Sequence, residues 1–495
     1  MNIGDHLAGR SISRRGVLTG ATTILLLTPL SKVIAAPLPT FQPVIGRPRA
    51  DGVSINMISS QSCQAYIEYG ISKTKFTSKT STLTCTVDTP TTFEIANLKP
   101  NSKYFYRIRF ITSSNKIIGT ASTIGSFTTA KTPGNPFSFT LHGDTHPERA
   151  GKMYNADLYK VTLKNAASQN PDFHLLLGDD FSIDPLIQKG AASSANIEKI
   201  YKDHRSFLSL LGTTTSVFLV NGNHEQAAAY LLDGTPNNPA IYAGKARTKY
   251  FALPETNNFY SADKELIPNL GLARDYYSWN WGDALFITLD PYWHSNSAVD
   301  NVAGVSNDQN QQAKKSGSGK TQNLWQVGLG DTQYAWLKET LEKSTSKYIF
   351  IFAHHVMGTG RGAVEVSYNY EWGGNDPSGK TTFAAERPNW ELPIHDLFVK
   401  HKVSIFFQGH DHIFVTQERD GVIYQAVGNP ADDTFSMFNE DAYKSGVKAP
   451  NSGHVRVSVS AQEAKVEYFL AARATDTGRK NLQLAHSYRI SPRAI

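Results

Sequence analysis

The chain has 495 residues, 40% of them hydrophobic and 19% charged, which excludes disordered, collagen-like and coiled-coil classes and suits two or three domains. Its formal net charge is +6, but residues 1–35 carry Arg10, Arg14, Arg15 and Lys32 against Asp5 alone, leaving +3 for the remainder. That is too little to argue for nucleic acid or an anionic membrane as partner.

At the amino terminus, Ser13-Arg14-Arg15-Gly16-Val17-Leu18 is a twin-arginine pattern. An apolar stretch from Val17 to Leu30 follows, then a small-residue exit at Val33-Ile34-Ala35-Ala36. These are the parts of an export signal over residues 1–36, cleaved after Ala35, with the twin-arginine translocase as transient partner. The apolar part is shorter than the ~20 residues needed to span a bilayer; an uncleaved membrane anchor is the alternative. No later run of 18 apolar residues occurs, so a soluble periplasmic or secreted product is expected. Only two cysteines exist, Cys63 and Cys85. Export permits a disulfide between them, and two buried free thiols fit the sequence equally well.

Residues 44–130 read as short strands separated by turns. Val53-Ser54-Ile55-Asn56-Met57, Ala65-Tyr66-Ile67-Glu68-Tyr69 and Tyr104-Phe105-Tyr106-Arg107-Ile108-Arg109-Phe110 alternate with period two, the pattern of a β-sandwich. A linker at 130–136 follows. From residue 137 the pattern changes to short continuous apolar runs: Phe137–Leu141, Phe173–Leu177, Val217–Val220, Ala284–Leu289, Tyr348–Phe352 and Val403–Phe407. Helix-compatible stretches, such as 157–167, separate them, which predicts an α/β layered core with strands buried on both faces. Two polar stretches interrupt it, at 294–330 and 358–390. The second carries Arg361, Tyr368, Tyr370, Trp372 and Trp390, either as ligand contacts or as a separately packed flap.

Five of the apolar runs end directly in a short segment of Asp, His or Asn. These are Gly143-Asp144-Thr145-His146, Gly178-Asp179-Asp180, Gly222-Asn223-His224-Glu225, Ala353-His354-His355 and Gly409-His410-Asp411-His412. Loops at strand ends of an α/β sheet converge on the ligand site. In Asp144-Thr145-His146, and again in His410-Asp411-His412, an extended backbone would point both outer side chains to one side. The preceding glycines would let the chain turn sharply. All donors are hard oxygen or imidazole nitrogen, and no cysteine takes part, which suits Mn, Fe, Zn or Co.

The order Asp-X-His, Gly-Asp, Gly-Asn-His-Glu, His, Gly-His-X-His resembles the signature of the calcineurin-like metallophosphoesterase family, over roughly residues 137–430 of a catalytic region taken as 137–495. Residues 97–107, with Leu98-Lys99-Pro100-Asn101 and Tyr104-Phe105-Tyr106, resemble the fibronectin type III-like domain that precedes the catalytic domain of purple acid phosphatases. The resemblance implies a four-layer αββα sandwich holding two metal ions. Asp144, His146 and His412 would bind the first, Asn223, His354 and His410 the second, and Asp179 would bridge them. Of the adjacent histidines the family usually uses the first, leaving His355 either to support a ligand from behind or to face substrate; Arg361 of the 358–390 stretch is the other candidate substrate contact. Purple acid phosphatases owe their colour to a tyrosine three residues after the bridging aspartate; Ser182 stands there, so a colourless enzyme is expected.

The implied reaction is hydrolysis of a small phosphoester. Two ions about 3.5–4 Å apart would bring a shared water toward a pKa of ~7 and hold the hydroxide in line with phosphorus. His224 would protonate the leaving group, and Glu225 would orient its neighbours or start a helix. Asp180 would be the partner of a ligand histidine or a solvated loop carboxylate. The reading is an acid phosphatase-like phosphomonoesterase, with a phosphodiesterase or nucleotide hydrolase as alternative. A non-catalytic extracellular binding protein is the remote third, against which the filled ligand set speaks.

Overall fold

Apolar runs without polar alternation are stable as strands only when both faces are covered, and the computed structural model covers them. It describes residues 38–111, 117–121, 123–295, 324–356 and 360–494. The export segment expected at 1–36 and most of the polar stretch expected at 294–330 lie outside the described residues.

Six strands form one sheet in the order Ser216–Leu219, Phe173–Leu176, Phe137–His142, Gly453–Val459, Ala464–Leu470, Gln483–Ile490. The first three are mutually parallel and the last three join antiparallel. A second sheet of eight strands has Ala284–Thr288, Tyr348–Phe352, Ile405–Gln408 and Val422–Ala426 as its parallel centre. Beside them Tyr277–Trp281 pairs antiparallel with Ala284–Thr288.

The two sheets meet across large aromatic side chains. Phe218 of the first stacks on Trp279 of the second with centroids 4.2 Å apart, and Phe139 meets Phe286 edge-on at 5.2 Å. Helices Ala156–Ser168, Ser194–Gly212 and Pro239–Tyr250 cover the outside of the first sheet. Gly330–Glu342 and Ile394–Lys400 cover the second. The result is the expected αββα stack. The helix expected at 157–167 starts where Asn155 accepts the backbone N–H groups of Asp157 and Leu158 as an N-cap.

Residues 41–128 form two antiparallel sheets around their own core. In Lys103–Ile111 the alternation holds, with Tyr104, Tyr106, Ile108 and Phe110 buried. In Val53–Ser59 it fails: all seven residues are buried. Its second face is covered too: Ser54 lies against Arg47 and Glu94, Ile58 packs with Leu208 and Leu211 of helix Ser194–Gly212, and the fully buried Arg205 of that helix donates to the carbonyls of Asn56, Gln42 and Tyr250. One guanidinium thus ties the β-rich region to the helices outside the first sheet, and burial lowers its pKa to about 9.

Cys63 stands opposite Cys85 on paired antiparallel strands, and both are free thiols. Of the two readings left open by the sequence, the structure has the unbonded one, and burial pushes Cys85 up to about 11. Among the described residues no helix is long and apolar enough to cross a membrane.

Arg205→Met would strand three buried carbonyls at about 1 kcal/mol or more each. It is expected to lower stability in urea unfolding by roughly 2–4 kcal/mol.

Candidate metal centre

All five segments lie at the carboxyl ends of parallel strands, so they gather on one edge of the stacked sheets. Glycine permits the convergence, though not by the turning expected. Only Gly178 among the preceding glycines has a left-handed backbone, φ 98°. Gly222 and Gly409 are needed for room: a Cβ there would collide with Asp179 Oδ1 and with Asp144 Oδ1 respectively.

The expected extended backbone is also absent. His146, His410 and His412 have φ of 49°, 66° and 52°, and Asp179 has 58°. These are left-handed conformations that cost side-chain-bearing residues about 1 kcal/mol or more each and persist only when surroundings impose them. Four of the seven candidate ligands are held in this way.

Two clusters result. In the first, His412 Nε2 lies 3.0 Å from Asp144 Oδ2 and 2.9 Å from His146 Nε2. In the second, His354 Nε2 lies 3.0 Å from Asn223 Oδ1, 3.1 Å from Asp179 Oδ2 and 3.2 Å from His410 Nδ1. Asp179 Oδ2 is also 3.6 Å from His146 Nε2, so this carboxylate stands between the clusters. Asp144–His146–His412 and Asp179–His354–His410 each bring their donor atoms within 4.8 Å of one another.

The donor set fits metal ions. His354 Nδ1 faces the Leu177 carbonyl at 2.8 Å and must donate to it. In the neutral ring Nε2 then aims a lone pair at a carboxylate and an amide oxygen, a convergence that is repulsive unless a proton or a metal ion sits among them. Burial alone would lower the His354 pKa, yet Asp179 and Asp144 outweigh it and raise it to about 10. The same carboxylate field favours any positive charge placed there.

Glu225 holds the frame. Its Oε2 accepts the backbone N–H groups of Asp179 and Gly222, at 3.0 and 2.9 Å. Its Oε1 accepts those of Asp180 and Phe181, at 2.7 and 3.1 Å. Burial and the Asp179 charge raise Glu225 to about 7 against these bonds. No helix begins there, so of its two expected roles the orienting one is realised. Asp180 fits neither of its own: it is buried and accepts from Thr145 Oγ1 at 2.8 Å. Burial, then the nearby Glu225, raises its pKa well above the usual range.

His224 sits beside both clusters. Its ring lies 4.8 Å from that of His146, its backbone N–H donates to Asp179 Oδ1, and its Nδ1 lies 3.0 Å from Asp184 Oδ1. A third group, His146–Asp179–His224, likewise has its donor atoms within 4.8 Å of one another. Arg149 argues against an ion at His224, because its Nη2 lies 3.2 Å from His224 Nε2 and a guanidinium excludes a second cation.

Sequence reasoning missed Asp184 and Arg149, which belong to no motif; only their nearness to Asp179 and His146 along the chain hinted at them. His355, expected either behind a ligand or at the substrate, is buried, stacked on Tyr292 and 4.8 Å from the His410 ring. Arg361 donates to the His410 carbonyl at 2.6 Å and to Asp411 Oδ1 at 3.3 Å. Tyr370, Trp372 and Trp390 of the 358–390 stretch pack into the core beneath the outer helices.

Glu225→Ala removes the acceptor of four N–H groups on two ligand loops. It is expected to weaken metal retention by about 10- to 100-fold, read as metal content after dialysis against a graded chelator.

The Calcineurin-like phosphoesterase family profile matches residues 137–414. Comparison with curated proteins finds no match. Among solved structures, PhoD superposes with a TM-score of 0.61 at 15% identity, over 91% of this chain and 90% of that one. Purple acid phosphatase PPD1 from yellow lupin (Lupinus luteus) seeds superposes with 0.58 at 16%, over 92% and 74%. At these identities the two neighbours speak for the fold, and the profile, spanning more than half the sequence, speaks for descent. This chain belongs to the calcineurin-like phosphoesterase family.

Proposed function

We propose that the protein is a two-metal hydrolase of phosphate monoesters. One observation carries this reading: two donor clusters share the neighbourhood of Asp179, with a non-ligand histidine and an arginine beside them. Asp144, His146 and His412 would hold one ion, Asn223, His354 and His410 the other, and Asp179 both. When bound, the pair supplies Lewis acidity, neutralising phosphate charge and acidifying water.

The chain's own residues do the rest. Burial would lower the His224 pKa, but Asp179 and Asp184 outweigh it and raise it, which favours a proton on the ring for the leaving oxygen once Arg149 has turned to the phosphate. Asp184 fixes the ring through Nδ1 and leaves Nε2 toward the cluster. Arg149 now faces that Nε2. An arriving phosphate offers the guanidinium an anionic partner and so frees the nitrogen for proton transfer. A monoester dianion gains more from this cation than a diester, which supports the monoester preference. Placement outside the cytoplasm rests on the Ser13–Leu18 pattern alone.

The test is hydrolysis of p-nitrophenyl phosphate and its bis-ester by metal-reconstituted protein, with Asn223→Ala as the inactive control. His224→Asn is expected to lower kcat on the monoester by about 10²- to 10⁴-fold, and Asp184→Asn by less. Faster cleavage of the bis-ester would move the assignment to phosphodiesterase. A metal-loaded sample that cleaves neither would end it.

A further inference from the structure

The two histidines of the first donor cluster are held very differently. His412 Nδ1 is buried and has no hydrogen-bond partner among the described residues. His146 Nδ1 faces a carboxylate, with Glu148 Oε1 at 2.8 Å. An ionised carboxylate can only accept, so Nδ1 carries the proton. In the neutral ring Nε2 is then the bare nitrogen. It lies 3.6 Å from both Asp144 Oδ2 and Asp179 Oδ2, and 2.9 Å from His412 Nε2.

The local chain is shaped for this contact. His146 is left-handed, with φ 49° and ψ 60°, and Pro147 opens one turn of 3-10 helix over Pro147–Arg149. The turn closes where the Arg149 N–H donates to the His146 carbonyl at 2.9 Å, which brings Glu148 back onto the ring two residues before it. Glu148 could instead serve only its neighbour Arg149, whose Nε lies 3.3 Å from the same oxygen. The histidine is the nearer partner, however. The Arg149 and Glu148 side chains are 28% and 18% exposed, and an ion pair open to solvent adds little. In the second cluster His354 rests its Nδ1 on the Leu177 carbonyl, a backbone group that no substitution removes. The first cluster depends instead on a side chain.

The structure assigns Glu148 as a positioning residue: its carboxylate fixes the His146 ring with Nε2 toward Asp144, Asp179 and His412, and so sets how tightly the first cluster, and not the second, holds its ion. This deepens the proposed function and rests on its two-ion reading. A carboxylate behind a ligand imidazole fixes the tautomer and makes the ligating nitrogen more basic. Because the same oxygen also holds Arg149 Nε, the guanidinium stays hinged beside the cluster when its Nη2 leaves His224.

The experiment loads the full chain with zinc and titrates it with a chelator, reading zinc per chain by elemental analysis. Wild-type protein is expected to hold two ions. From Glu148→Ala one ion should leave at about 10- to 100-fold lower chelator concentration, and the other as in wild type. Glu148→Gln keeps an acceptor oxygen without its charge and should fall between the two. Anomalous diffraction from partly depleted Glu148→Ala crystals should leave the peak among Asn223, His354 and His410. A merely structural role would loosen both ions alike, and that result overturns the assignment. Wild-type retention in Glu148→Ala, or loss from the second cluster instead, does the same. Wild-type protein that holds no pair of ions ends the two-ion reading and this inference with it. A two-ion wild type with an indifferent Glu148→Ala ends this inference alone.

Discussion

One carboxylate organises the centre. Glu225 accepts four backbone N–H groups from two different strand ends, and those strand ends carry Asp179 and Asn223. A buried acid with this many donors is an anchor, since each N–H it leaves would cost about 1–3 kcal/mol unsatisfied. Its position three residues after Gly222 lets the chain fold back on its own loop. The Gly178 segment is then gripped from both sides, by Glu225 on its backbone and by the His224 N–H on the Asp179 side chain.

That grip explains the unusual backbone. Asp179, His146, His410 and His412 adopt left-handed φ values that their side chains disfavour. His146 is held through its backbone N–H to the Asp179 carbonyl and through Nδ1 to Glu148. His410 is held through its N–H to Asp144 Oδ1, at 2.7 Å. Strain at each residue is thus opposed by a bond to another segment of the same centre. The aromatic core between the sheets supplies the stiff base on which the loops rest, and Arg205 locks the β-rich region to the outer helices.

Much of this was legible in the residues. The double-sided burial of the apolar runs followed from their lack of alternation, and the αββα stack from the family resemblance. The five segments stood out because each follows an apolar run, and the seven candidate ligands within them were named by the family resemblance. What could not be read was the local conformation that unites them. Spacing of two suggested extended backbone, whereas the structure uses left-handed turns, because the choice is imposed by Glu225 and Asp144 from far along the chain. For the same reason Asp180 was misjudged: its environment is Thr145 and Glu225, neither next to it in sequence. Val53–Ser59 looked half-exposed because nothing in it announces helix Ser194–Gly212, whose Leu208, Leu211 and Arg205 lie against its second face.

The central claim is that these side chains enclose a pair of ions, and anomalous diffraction from metal-loaded crystals tests it most directly. Two peaks are predicted, one among Asp144, His146 and His412, the other among Asn223, His354 and His410, with an Asp179 oxygen toward each. A single ion, or ions lodged at His224 and away from Asp179, would contradict the account.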